Sequence, residues 1–409
     1  MLKKIGVEHL RVGMHLEELC GSWMEHPFWR TKFVIKDPKD IRLIIESGIT
    51  EVWIDVDKGL DIPSAASKEQ VEARVDADLM ETAAATGTPV QGASPKQAPM
   101  AEEVKRAARI CANAKGAVVS MFHEVRMGKA VSAEAAGELV DEIACSVARN
   151  PGALISLARL KTADDYTYMH SVAVCALMVV LARQLGLDDT QTRDAGMAGL
   201  LHDLGKALMP MEVLNKPGKL TDEEFRIIKS HPEEGHRLLL EGGTAGATVL
   251  DVCLHHHEKI DGSGYPHRLK GEEISMFARM GAVCDVYDAI TSNRPYKSGW
   301  DPADSIRKMT EWTNGHFDGR IFQAFVKSIG IYPVGSLVRL SSGRLGVVAE
   351  QSEKSLLTPR IKVFFSTKSM AYIPPELIDL ARPNISEKIV AREDAGKWGI
   401  KNLDQYWAA

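Results

Sequence analysis

The chain has 409 residues, too many for one ordinary core, so two or three domains are expected. With 45% hydrophobic and 26% charged residues, its composition is that of a globular protein, neither fibrous nor disordered. A net charge of −5 argues against an extended surface for a nucleic-acid polymer, but leaves room for a small basic pocket around one phosphate ligand. The six cysteines, at 20, 111, 145, 175, 253 and 284, form no close C-x-x-C pair and read as reduced thiols. No signal peptide is visible, and the longest apolar run, 172–182, is too short to span a bilayer. A cytoplasmic protein with no transmembrane segment is expected.

Residues 1–62 read as a small α+β unit. Runs at 12–16, 32–35 and 51–56 have β-type composition and are bounded by Gly, Asp and Pro. Between the last two, 38–47 carries Ile41, Ile44 and Ile45 at helical spacing and stops at Gly48. Trp23, Phe28 and Trp29 are expected in the core of this unit. Residues 63–101 are expected to be a linker, rich in Ala, Thr, Gly and Pro from 83.

From 102 to 331 the apolar residues recur at three- and four-residue intervals, which predicts an all-α domain. Its helices are expected at 102–127, 132–149, 152–161, 168–185, 190–206, 222–241, 246–258, 274–292 and 302–314. After Tyr332-Pro333 the pattern alternates at 336–340, 346–348 and 359–365, giving a short β segment over 332–384. Residues 385–409 read as a polar tail. The expected fold is multidomain: a small α+β N-terminal domain, a helical domain and a short C-terminal β segment.

Six histidines fall in the helical part: His170, His202, His231, His255, His256 and His257. One such histidine is usually a surface or satisfied core residue; the combination is harder to explain that way. In Leu201-His202-Asp203-Leu204-Gly205-Lys206 an imidazole and a carboxylate stand side by side after an apolar helix, where burying them unpaired would be unfavourable. Imidazole with carboxylate is the donor set that Fe, Mn, Ni or Zn accepts. Gly205 would let the backbone turn close to a ligand, and Lys206 is placed to meet a phosphate. His231-Pro232 reads as a helix start, which puts an imidazole at a helix N-terminus. His256-His257-Glu258 precedes Asp261-Gly262-Ser263-Gly264-Tyr265-Pro266, a tight turn that explains the glycines but not the histidines. Asp285 lies in an apolar run, where an unpaired carboxylate is disfavoured.

In this order a histidine, H-D-x-G-K, His-Pro, H-H-E-x-x-D-G-S-G-Y-P and D-V-Y-D-A-x-T-S-x-R-P-Y resemble the HD-GYP family, a subgroup of the HD-domain metal-dependent phosphohydrolases. The match runs over about residues 160–330 and includes the connecting segment Lys216-Pro217-Gly218-Lys219-Leu220-Thr221. Residues 1–62 resemble the small accessory domain often found before such modules in proteobacterial proteins.

The resemblance implies an HD-type helical catalytic domain that hydrolyses cyclic di-GMP to pGpG, GMP or both. It implies that His170, His202, Asp203, His231, His256, His257 and Asp285 bind two transition-metal ions, with Asp203 bridging. Iron or manganese is preferred; nickel, cobalt and zinc suit the same donors. Asp203 and Lys206 would be catalytic, and Lys206, Tyr265, Arg294 and Lys297 would contact substrate. Some members carry a glutamate four residues before the first histidine, supporting a third metal. Here Tyr166 stands at that position, so two ions are expected. His255 is expected to play a supporting role, and Glu258 is a candidate to protonate the leaving oxygen. Further partners the resemblance admits are GGDEF-type diguanylate cyclases, other signalling proteins and a second copy of the chain as a homodimer. Competing readings are a phosphohydrolase of another cyclic dinucleotide or nucleotide, and a weakly catalytic cyclic di-GMP receptor.

Overall fold

The computed structural model describes residues 1–20, 32–47, 49–84, 98–160, 166–216, 220–243, 245–293, 299–313, 315–352 and 355–408. Trp23, Phe28, Trp29, Arg294, Lys297 and the side chain of Tyr166 lie outside the described residues.

The N-terminal unit is an antiparallel sheet of β1 (Leu2–Gly6), β2 (His15–Leu19), β3 (Phe33–Val34), β4 (Glu51–Asp55) and β5 (Ala66–Ser67), in the order β3-β2-β4-β1-β5. Helix α1 (Pro38–Glu46) starts at Asp37, whose carboxylate accepts from the Lys39 N–H, with Pro38 in the first turn where its missing N–H is harmless. Ile44 of α1 joins Ile5, Leu16, Ile35, Val52 and Ile54 in a small core of its own.

The expected linker over 63–101 is corrected at its two ends, while residues 85–97 lie outside those described. Helix α2 (Lys68–Ala84) occupies much of it, and β5 just before α2 pairs with β1. Alanine-rich polar sequence suits a helix as well as a linker, and Val71, Val75, Leu79 and Ala83 make a buried stripe at four-residue spacing. That stripe packs into the large helical core rather than the small N-terminal one. The two units are also tied by Arg307 to Glu72 at 2.5 Å, and by Lys308 to Glu18 at 3.3 Å with its ammonium 5.7 Å from the Trp53 ring.

The helical part comprises α3 (Met100–Arg126), α4 (Ala133–Arg149), α5 (Pro151–Arg159), α6 (Tyr166–Gln184), α7 (Asp189–Leu201), α8 (Met211–Leu214), α9 (Asp222–Lys229), α10 (His231–Gly242), α11 (Ala247–His255), α12 (Met276–Thr291), α13 (Pro302–Trp312) and α14 (Gly319–Ile329). Helix α6 is apolar nearly all round, as a helix enclosed by others must be, and α5, α7 and α12 pack against it. Its stretch Thr167–Gln184 is long and apolar enough to cross a membrane, but 78% of it is buried inside the protein. Helix α14, not anticipated from the sequence, buries Ile321, Phe322, Phe325, Val326 and Ile329 after an Asp318 cap.

Strands β6 (Leu337–Leu340), β7 (Arg344–Glu350), β8 (Arg360–Ser366), β9 (Ala371–Asp379) and β10 (Ile389–Arg392) form a second antiparallel sheet, ordered β10-β6-β7-β8-β9. Its buried face shares the core of the helices through Val338, Val347 and Phe364. Residues 385–409 are therefore not a polar tail. β10 pairs with β6, the Tyr406 ring stacks on Phe364 at 4.0 Å, and Trp407 is buried. The apolar anchors there are single residues in polar sequence, so no periodic signal announces them.

Candidate metal centre

Ends and interiors of five helices meet at one point. α6 carries His170 in its second turn; α7 stops at Leu201, leaving His202 and Asp203 at its end. α10 begins with His231, α11 runs out into His256 and His257, and α12 carries Asp285. The turn after Asp203 runs hard against α10. A Cβ on Gly205 would lie 1.9 Å from the His231 carbonyl oxygen and 2.6 Å from the Gly235 nitrogen. Gly205 thus serves the close approach of two backbones, and it seats Asp203 beside His231.

The side chains form two triads around Asp203. His170, His202 and Asp285 make one, and His231, His256 and His257 the other; the donor atoms of each lie within 4.8 Å of one another. Asp203 reaches both: its Oδ1 is 3.1 Å from His231 Nε2 and 3.8 Å from His256 Nε2, and its Oδ2 is 3.5 Å from Nε2 of both His170 and His202. His170 Nε2 is 2.9 Å from Asp285 Oδ1, and His257 Nδ1 is 3.8 Å from Asp285 Oδ2.

The histidine tautomers follow from their outer bonds. Nδ1 donates to the Gly199 carbonyl in His202 (2.8 Å), to Ile228 in His231 (2.7 Å) and to Val252 in His256 (3.0 Å). Each Nε2 therefore presents a lone pair to the interior. His231 and His256 point these lone pairs at each other across 3.3 Å, and His202 Nε2 and Asp203 Oδ1 are buried without a hydrogen-bond donor. Acceptors facing acceptors in a buried space repel unless a cation stands between them. Burial lowers His202, His256 and His257, His256 to about 3, so these three rings stay neutral and available as ligands. Burial works against ionising Asp203, but the Lys206 ammonium beside it holds its carboxyl well below the usual range. His170 goes the other way: burial opposes its charge, yet Asp285 and Asp288 on its two nitrogens raise it. Neutral imidazoles around carboxylates, with inward lone pairs, are a donor set that fits one or two transition ions.

A family model described as HD domain matches residues 146–321, and one described as a domain of unknown function, DUF3391, matches residues 2–136. Over 411 aligned residues, 100% of this chain, it is 56% identical to the cyclic di-GMP phosphodiesterase PA4108 of Pseudomonas aeruginosa, covering 96% of that protein. The chain belongs to the HD-GYP family. Two other relatives match this HD-GYP chain over less of its length. It is 42% identical over 177 residues to the cyclic di-GMP phosphodiesterase response regulator RpfG of Xanthomonas campestris, which spans 42% of this chain and 47% of the relative. It is 35% identical over 166 residues to 3'3'-cGAMP-specific phosphodiesterase 1 of Vibrio cholerae, 40% of this chain and 38% of that one.

Around the triads of this HD-GYP chain, Lys206 ion-pairs with Asp203, and the Tyr265 ring stacks on His257 with centroids 4.7 Å apart at 24°. The turn that carries Tyr265 folds back tightly: a Cβ on Gly264 would lie 2.4 Å from the Lys259 nitrogen and 2.6 Å from the His257 carbonyl oxygen. Glu258 does not face the centre as a proton donor would. Its two oxygens accept the backbone N–H groups of His267 and Leu269, at 2.7 and 3.1 Å, and so pin that turn. His255 bonds to Asp251 and His267, a supporting role.

Two residues of the HD-GYP centre were not singled out from the sequence. Asp288, one helical turn beyond Asp285, is buried with its Oδ2 2.6 Å from His170 Nδ1. The second aspartate of D-V-Y-D at i+3 was the available signal, since both carboxylates then share a helix face. Lys229, at the end of α9, holds its ammonium 4.9 Å from the centre of the Tyr265 ring. A lysine in the last turn of a polar helix carries no such signal.

Proposed function

We propose that this chain is a phosphodiesterase that hydrolyses cyclic di-GMP, taking up one water per bond cleaved and yielding pGpG, GMP or both. The observation that carries this reading is the pair of ligand triads on either side of Asp203. It is supported by full-length similarity to PA4108. His170, His202 and Asp285 would hold one ion, His231, His256 and His257 the other, and Asp203 would touch both. Iron or manganese is the expected occupant. Such a pair lowers the pKa of water and offsets the charge that grows on a phosphoryl group.

The chain's own residues do the rest. Asp288 keeps a proton on His170 Nδ1, so Nε2 faces inward, and backbone carbonyls do the same for His202, His231 and His256. Lys206 sits beside Asp203 with an ammonium suited to a non-bridging phosphate oxygen, and Tyr265 closes one wall against His257. Arg294 and Lys297 are proposed as further phosphate or guanine contacts. The six cysteines form no disulfide with one another, which suits the cytoplasmic setting proposed with this activity.

The test is turnover of cyclic di-GMP, 3'3'-cGAMP and dGTP side by side by protein purified without oxygen, with metal content measured. Cyclic di-GMP is expected to be the preferred substrate, with about two ions per chain. Preference for 3'3'-cGAMP would change the substrate, and metal-replete protein that binds cyclic di-GMP without cleaving it would make the chain a receptor.

A further inference from the structure

We propose that Glu258 is a positioning residue for substrate choice. It holds the turn that carries Tyr265, so that the wall beside His257 favours a cyclic dinucleotide over a smaller phosphodiester. The inference rests on the activity proposed above and adds a residue to it.

The run His255-His256-His257-Glu258 at the end of α11 divides two tasks. His256 and His257 belong to the second triad, while His255 and Glu258 hold the turn that follows. Glu258 is 2% exposed, and its two carboxylate oxygens accept the N–H groups of His267 at 2.7 Å and Leu269 at 3.1 Å. These bonds close a loop that leaves the helix end at Lys259 and returns beyond Tyr265. His255 adds a side-chain clamp, with Nε2 3.1 Å from His267 Nδ1 and Nδ1 2.8 Å from Asp251 Oδ1.

The turn needs such anchors. Gly262, at φ +83°, and Gly264 give its backbone freedom, and ordering it costs entropy that contacts must offset. Within it the Tyr265 N–H donates to the His257 carbonyl at 3.2 Å, and the Tyr265 ring stacks on the His257 ring at 4.7 Å. The place of Tyr265 therefore depends on the arm that Glu258 ties down. An ionised carboxylate suits that task, because it offers two acceptor oxygens and no donor to two backbone N–H groups. Glutamine keeps the shape but turns an NH2 group toward one of those donors, which opens one arm of the clamp. A cyclic dinucleotide is large enough to meet the Tyr265 wall as well as the centre. A small diester needs the centre alone, so a displaced turn costs it less.

The experiment compares metal-loaded full-length wild type and Glu258→Gln on cyclic di-GMP and on bis(p-nitrophenyl) phosphate, with metal content assayed. Backbone hydrogen exchange over residues 259–270 is followed in both proteins. The N–H groups of His267 and Leu269 are expected to be protected in wild type and to exchange faster in the variant. The ratio of kcat/KM for the two substrates is expected to fall roughly ten- to hundred-fold, mainly through KM for cyclic di-GMP, with metal retained. Free exchange of both N–H groups in wild type would overturn the clamp, whether or not the variant folds. Loss of metal in Glu258→Gln, or an unchanged ratio with the turn loosened, would overturn the role in substrate choice. Wild type that cleaves bis(p-nitrophenyl) phosphate but not cyclic di-GMP would instead overturn the substrate assignment on which that role rests.

Discussion

His170 and Asp288 meet at 2.6 Å between Nδ1 and Oδ2, both buried, with Ser292 Oγ donating to the other carboxylate oxygen at 3.1 Å. The pair fixes one face of the imidazole so that the opposite nitrogen can serve the centre. Replacing Asp288 with Asn keeps an acceptor of the same shape but removes the charge that raises His170. The expected effect is a loss of about 10- to 100-fold in metal affinity or activity, with the fold retained. Titration with iron or manganese, followed by kcat on cyclic di-GMP, checks it; wild-type values in Asp288→Asn would reduce the contact to packing.

Asp203 lies within reach of four histidines, so it should be the residue on which both ions depend. Asp203→Ala removes a buried anion from among inward-facing lone pairs. Metal and hydrolysis are expected to be lost together. Retained hydrolysis in that variant would sink the proposed site.

The residues proposed as metal ligands stood out in the sequence because their chemistry is costly outside a metal site and their order along the chain is distinctive. Residues that act by contact alone were not. Asp288 reads as one more helical carboxylate, and Lys229 as a solvated helix end. The same division holds for the fold. The helices from α3 to α13, apart from the single turn of α8, declared themselves through apolar spacing, whereas α2 hid behind an Ala-rich composition. β1 hid behind Lys3 and Lys4, although Lys3 is buried and pairs with Asp61 at 2.8 Å. β9 was missed because Pro374 and Pro375 argue against a strand, yet β9 is an edge strand, where proline is tolerated.

Acid should act on this centre in a definite direction. His202, His256 and His257 are neutral in the fold below the pH at which they protonate in the unfolded chain, His256 down to about 3. Below the ordinary imidazole range the unfolded state therefore binds more protons than the fold, and stability drops as pH falls. His170 has the opposite sign: its raised pKa favours the metal-free fold at low pH, and that share is lost as pH rises through its folded value. A metal would compete with protons for these side chains, so its affinity should rise with pH. Dialysis at stepped pH from 5 to 8 with metal analysis, and melting of chelator-treated protein over the same range, would show both. Metal content independent of pH would contradict the ligand set.

Removing the N-terminal unit should destabilise the helical part rather than release it. Val71, Val75, Leu79 and Ala83 of α2 are buried in the large core, and Arg392 pairs with Asp76 at 2.6 Å alongside the Arg307–Glu72 pair. Each buried aliphatic side chain of valine or leucine size contributes about 1.5–3 kcal/mol. A chain starting at residue 98 should melt at least about 5 °C lower than the full chain, or fail to stay in solution. Equal melting temperatures would restore the picture of a tethered, independent accessory domain. Unchanged kinetics in a folded truncation would count against any regulation of the centre by this unit.

Two glycine substitutions separate the demands of the site from those of an ordinary helix. A Cβ at Gly116 in α3 meets nothing within 4 Å, so Gly116→Ala should raise stability by about 0.5–1 kcal/mol through helix propensity alone. At Gly205 the same methyl group would collide with the backbone of His231 and Gly235, which cannot swing aside as a flexible side chain can. Relief requires the turn after Asp203 to move away from α10, which costs about 1–3 kcal/mol and lengthens the 3.1 Å approach of Asp203 to His231. Gly205→Ala should therefore lose metal as well as melting temperature, whereas Gly116→Ala should keep the metal and gain in stability. If Gly205→Ala bound two ions as wild type does, the close packing of that turn on α10 would not be what sets the position of Asp203.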